Sequence, residues 1–199
     1  MHLSYTSSKN TFFIPVIQVY TIVIYHCSFF SFHLIHICFQ LPVLKLLDKK
    51  DNVFYEVLDT LKKFVAKFSR SVGPKVELKN LCKLQMVASV PTRWWSQWLM
   101  AERVVAIYKA NKDALNTVKA SHGWKEVRKL KEEDYNLISL FVEFFRPMKQ
   151  KSDILGGDKF STIHLVHSSV KEIRRHINMW RDHPVIGAFV KEFDVEFSR

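Results

Sequence analysis

An arginine set beside three tryptophans is the place in this chain where side-chain types first suggest a partner. The run Pro91-Thr92-Arg93-Trp94-Trp95-Ser96-Gln97-Trp98 puts a guanidinium next to flat indoles. A guanidinium suits a phosphate, and an indole beside it suits an unstacked base. Neighbouring positions on a helix diverge by about 100°, so Arg93 and Trp94 cannot both enter one apolar seam. One of the two is therefore available, and both are candidate nucleic-acid-binding residues. The competing reading is that the rings fill a core, as aromatic residues at helical spacing usually do.

Other chemistries find less support. His26, Cys27, His33, His36 and Cys38 have metal-ligand side chains, but a structural zinc site shows two tight pairs across a defined loop, and this spacing does not. His164 and His167 are three apart with no glutamate between them, unlike HExxH, and read as surface or boundary histidines. Gly156-Gly157-Asp158 is a turn too short to cradle phosphates. No nucleophile elbow or carboxylate pair occurs. The expectation is no catalytic residue, no metal, no cofactor and no small-molecule substrate. Cys27, Cys38 and Cys82 are an odd set without a close pair, which suits a reducing compartment. The 30 basic side chains against 19 acidic ones leave a formal charge of +11, which favours nucleic acid first and an anionic membrane surface second. Lys125, Arg128, Lys129 and Lys131 around Trp124 read first as a solvated helical face and second as a phosphate site.

The elements that must position Arg93 and Trp94 read as helices. Pro91 forbids a helix running through from upstream, so a new one is predicted from about Thr92, capped by that hydroxyl. Trp94, Trp98, Ala101, Val105 and Tyr108 share its apolar arc, flanked by Met100, Val104 and Ile107. Ser96, Glu102, Arg103 and Lys109 point away. Upstream, Val53, Phe54, Val57, Leu58, Leu61, Phe64, Val65 and Phe68 form one face of a helix capped by Asp51 or Asn52 and stopped by Gly73-Pro74. A shorter helix is predicted over Lys75 to Met86. Downstream, one helix covers Asn111 to Ala120 and closes at His122-Gly123. The next begins at Glu132-Glu133-Asp134, buries Leu137, Ile138, Phe141, Phe144, Phe145 and Met148, and should kink or end at Pro147. Ile163, Val166, Val170, Ile173, Ile177 and Trp180 give a narrow seam. A last helix runs from Pro184 to about Phe197.

Residues 1–44 differ from 45–199. No charged residue falls between Lys9 and Lys45, while Phe, Ile, Val, Tyr, His and Ser crowd the segment. Phe12 to Phe30 is long enough to span a bilayer, though Pro15, Gln18 and His26 interrupt it. Short strands, for instance Val16 to Tyr25, are a second reading. A third is that translated AT-rich noncoding sequence contributes this composition, leaving a segment without selected structure.

Three stretches in order carry a family resemblance. Val90-Pro91-Thr92-Arg93-Trp94-Trp95-Ser96, followed by Leu99-Met100-Ala101-Glu102-Arg103, resembles the "TRW-x-S … L-x-ERL" signature of the hAT transposase superfamily. Phe144-Phe145-Arg146-Pro147-Met148 resembles that family's "LLKPF" helix. Gly156 to Val166 is similar to its "S-G-x-x-YPT-x-x-x-V" segment. Order and spacing agree over roughly Asn52 to Phe197.

The resemblance implies an all-α fold, the helical insertion that splits an RNase H-like domain in the family. It also implies that Trp94 matches a tryptophan stacking on a displaced base near the transposon end, with Arg93 the adjacent arginine. Trp95 stands where the family usually has a polar residue. The family's strand transfer uses three metal-holding carboxylates, two before the insertion and one after it. These are not expected within this chain, and Asp48, Asp51 and Asp194 are not substitutes. The family's zinc finger and C-terminal dimerisation segment are not expected here either, and its Cys-Phe-His element is broken at Leu41-Pro42. The expected function is thus a catalytically incomplete transposase-derived fragment in the nucleus, binding DNA weakly and with salt dependence. The alternatives are a membrane-anchored module, if residues 12–30 insert, or a soluble helical module with a protein partner.

Overall fold

The apolar spacing that begins at Phe54 does build a helix, α1, over Tyr55–Arg70, with Val57, Leu58, Leu61, Phe64 and Phe68 buried along it. The computed structural model describes residues 43–88, 90, 94–155 and 163–198, without the side chains of residues 163 and 164. Six further helices follow: α2 (Val72–Cys82), α3 (Trp94–Ala110), α4 (Ala114–Ser121), α5 (Glu132–Leu155), α6 (Ile163–Trp180) and α7 (Gly187–Ser198). Residues 43–47 are also helical, and no strand occurs among the described residues. The fold is all-α.

Long α5 is the shared neighbour of α1, α3 and α6, and α7 packs on α6. Its three phenylalanines supply ring contacts to the elements around it. Phe141 meets Phe54 edge-on at 5.2 Å, and Phe144 and Phe145 meet Phe193 of α7 at 5.6 and 5.7 Å. Offset and edge-to-face contacts between rings of this kind add to the burial of their area, which is itself worth about 1.5–3 kcal/mol per large side chain. The α5 start is fixed electrostatically. Asp134 accepts the backbone N–H of Lys131 at 2.8 Å, reaching back to the residue before the helix, and holds the Arg128 guanidinium by two hydrogen bonds of 2.8 and 2.9 Å. Burial works against the Asp134 charge, but the Arg128 fork and the Lys131 amide outweigh it and hold the carboxyl below its usual range.

Asn52 directs the entry. Its Nδ2 donates to the carbonyls of Leu46, Leu47 and Lys49, and its Oδ1 accepts the Phe54 N–H at 2.7 Å, so one side chain closes the first helical segment and leads into α1. Val53, expected on the buried face, is 37% exposed because it lies in the turn before the helix, where the 3.6-residue period does not apply. Val43, Leu46 and Leu47 are buried in the core, and Lys45 bonds Glu196 at 2.8 Å. The folded body therefore reaches back at least to Val43, across the compositional break at Lys45.

Four expectations are corrected. The break after α1 falls at extended Ser71, and Gly73-Pro74 lies inside the first turn of α2, where a missing N–H costs nothing. α2 accordingly starts and ends earlier than Lys75 to Met86. α4 and α7 begin three residues later than expected, at Ala114 and Gly187, and Gly123 takes the positive φ of 62° that closes the chain after α4. Of the two outcomes expected at Pro147, a kink or an end, the end does not occur, since α5 runs on past it to Leu155. Buried Phe144 and Phe145 before it, and Met148, Ser152 and Leu155 after it, hold the helix across the missing bond. Finally, Ser96 and Gln97 are buried although Ser96 was expected outside, because α3 touches α1, α4 and α5 and has little free surface.

Residues 1–42 lie outside the described residues, and with them the strand, anchor and noncoding readings and the cluster of His26, Cys27, His33, His36 and Cys38. Among the described residues no helix is long and apolar enough to cross a membrane.

Candidate nucleic-acid interface

Two of the three resembling stretches meet in the core, and three residues one helical turn apart on α3 make the meeting. Trp94 packs against Phe145 at 5.6 Å between centroids. One turn on, Trp98 donates its indole N–H to the Val142 carbonyl at 3.0 Å, and the Arg146 guanidinium lies over its ring at 5.9 Å. A further turn on, Glu102 pairs with Arg146 at 3.6 Å. Positions i, i+4 and i+8 stand one above the other on a helix, so the stripe reads a matching stripe of α5. Ser96 secures the approach to α3: its hydroxyl accepts the Val90 N–H at 2.7 Å and donates to the Val90 carbonyl at 2.9 Å.

This geometry decides how Trp94 is used. Its ring has 0% exposure, so the indole offered by the sequence to a displaced base is enclosed by protein and packs in the core. Of the two neighbouring candidates, Trp94 is turned inward. Its Nε1 has no hydrogen-bond partner among the described residues, nor has Oε1 of Gln97. Trp95 is half-buried. Arg93, together with Pro91 and Thr92, lies outside the described residues. The His164 side chain does too, while His167 is exposed on α6. Among the described residues, no three His, Cys, Asp or Glu side chains converge as metal ligands would.

Charge is distributed unevenly over the surface. Many acids are engaged by cations: Lys49 with Glu192, Lys63 with Asp59, Lys67 with Glu126, Lys151 with Glu172, Arg181 with Asp194 and Lys191 with Asp182. Among the exposed cations without an acidic partner in the described residues, two sets form runs. One is Lys75, Lys79 and Lys83 on and just after α2, interleaved with exposed Val72 and Val76. The other is Lys171, Arg174 and Arg175 on α6, exposed outside the seam of Val166, Ile173 and Ile177 that α6 buries. In the Trp124 region the basic residues are diluted: Arg128 holds Asp134, Lys67 reaches Glu126, and Trp124 itself is core, edge-on to Phe68 at 5.2 Å.

The α6 run was missed in sequence, although its signal was present. Once Val166 to Trp180 is read as a seam, positions 167, 171, 174, 175 and 178 fall together on one arc of the same helix outside it. The fold and surface together define a basic, all-helical protein. Comparison of the chain with protein-family models, with curated proteins and with solved structures found no match.

Proposed function

We propose that this chain is a nucleic-acid-binding helical protein of hAT transposase origin, nuclear in location and without strand-transfer chemistry of its own. The observation that carries the binding is the cation excess left on the surface after internal pairing. The acids at Asp59, Glu126, Asp134, Glu172, Asp182, Glu192 and Asp194 are engaged by cations, while Lys75, Lys79, Lys83, Lys171, Arg174 and Arg175 face solvent without an acidic partner among the described residues. The origin rests on the order of the three resembling stretches and on the helical fold of the described residues. DNA is the expected partner, held by its phosphates, with Arg93 contributing beside the start of α3. Trp94 contributes indirectly, by fixing α3 on α5.

Phosphate contacts release condensed counterions, so affinity should fall steeply, by orders of magnitude for several contacts, between about 50 and 200 mM salt. Fluorescence anisotropy of labelled duplex and single-stranded DNA against salt concentration tests this. Absence of binding at low salt, or binding indifferent to salt, would overturn the proposal. Metal-dependent cleavage of a hairpin or terminal-repeat DNA, abolished by one Asp or Glu substitution, would overturn its inactive part.

A further inference from the structure

The solvent face of α6 has a composition that its neighbours do not share. His167, Lys171, Arg174, Arg175 and Asn178 are all exposed and recur at i, i+4, i+7, i+8 and i+11. Side chains three and four apart on a helix are about 5–6 Å apart, so the face is a continuous cationic stripe about 16 Å long. Two carboxylates lie at its edges, and both are engaged elsewhere: Glu172 by Lys151 of α5, and Asp182 by Lys191 of α7 at 3.3 Å.

We infer that this face of α6 is the surface that grips nucleic acid, and that its ligand is the phosphate backbone of a duplex. The inference rests on the binding reading above and assigns that binding to one surface. Three features choose the ligand. Two consecutive arginines supply planar forks suited to phosphate oxygens, in contrast to the lysines of α2. No Phe, Tyr or Trp stands on the stripe among the described residues to stack an unpaired base, its one ring being the small His167 imidazole, since Trp180 is half-buried among Phe144, His176 and His183. A membrane surface needs an apolar helical face to insert, and the apolar face of α6 is spent on α5 and α7. A backbone grip of this kind reads no base edges, so binding is independent of sequence.

The test uses the full chain and a labelled duplex of arbitrary sequence. The triple variant K171A/R174A/R175A alters exposed side chains only, and K75A/K79A/K83A on α2 is its matched control. The α6 variant should bind at least about tenfold more weakly at low salt, and the slope of log affinity against log salt should become shallower by about one for each phosphate no longer held. The α2 variant should keep the parental slope. Met179 is 76% exposed and lies one turn beyond Arg175, so Met179→Lys should extend the stripe, tighten binding and steepen the slope by about one. That gain cannot come from a misfolded protein. Equal binding by the parent and the α6 variant, with loss in the α2 variant, would overturn the assignment while leaving the binding reading intact. A parent that binds no duplex would overturn the binding reading itself. Preference for single strands, or binding to vesicles rich in anionic lipid but not to duplex, would overturn the choice of ligand.

Discussion

Replacing Trp94 separates a core ring from a ligand-stacking one. Its indole has 0% exposure and rests on Phe145, so Trp94→Ala removes the largest fully buried side chain and leaves a cavity between α3 and α5. Such truncations cost about 3–5 kcal/mol, a large share of the roughly 5–15 kcal/mol that holds a domain together. The unpartnered Nε1 refines the argument. A buried donor without an acceptor costs about 1–3 kcal/mol, and Trp94→Phe removes that penalty while giving up part of the ring. Trp98→Phe gives up a similar part of a ring but also loses a made bond, the one to the Val142 carbonyl at 3.0 Å. Trp94→Phe should therefore be milder than Trp98→Phe by about 1–2 kcal/mol. Urea unfolding followed by circular dichroism, with the denaturant slope unchanged among variants, gives the comparison. If Trp94→Ala shifted stability by less than about 0.5 kcal/mol, as exposed sites do, and weakened binding to single-stranded DNA, the ring would be a surface platform and the packing argument would be refuted. A Trp94→Phe protein less stable than Trp98→Phe would refute the role given to the lone N–H.

Three further outcomes are expected. Asn52→Ala breaks the bonds to the Leu46, Leu47 and Lys49 carbonyls and to the Phe54 amide, and should lower stability by about 1–2 kcal/mol in the same unfolding assay. His176 is held below the ordinary histidine value, with burial the larger influence and its hydrogen bond to the Phe144 carbonyl, 2.9 Å long, opposing it. The unfolded chain thus binds the proton first, so stability should fall as pH drops through about 6.5, and His176→Gln should flatten that dependence in thermal melts across this range. Gly187→Ala would put a Cβ 2.8 Å from the Arg181 carbonyl oxygen, a backbone atom that cannot step aside, and should cost about 1–3 kcal/mol by shifting α7 on α6. Equal melting temperatures for the Gly187→Ala variant and the parent would show that the turn before α7 yields freely.

Helix existence was written locally. The spacing of Val57, Leu58, Leu61, Phe64 and Phe68, and of Val166, Ile173 and Ile177, announces a buried face on each segment because a helix repeats every 3.6 residues whatever surrounds it. The acids that open α5 and the glycine at 123 were legible for the same reason, since caps and turns are settled within a few residues. Other features depend on neighbours far along the chain. Periodicity could not reveal that Ser96 and Gln97 would be buried, because α3 acquires its extra covered sides only when α1, α4 and α5 close around it. Nor could it choose between a kink and an end at Pro147, where α5 runs on because packing on both sides outweighs a local penalty. The choice between Arg93 and Trp94 was open for the same reason. A helix wheel says that the two diverge, but that Trp94 turns inward depends on where Phe145 stands, far away in sequence. Composition likewise supplied the cation excess, whereas the runs left unpaired on α2 and α6 were decided by which acids the folded chain brings within reach, since ion pairing acts over a few ångströms and the sequence sets no such distances.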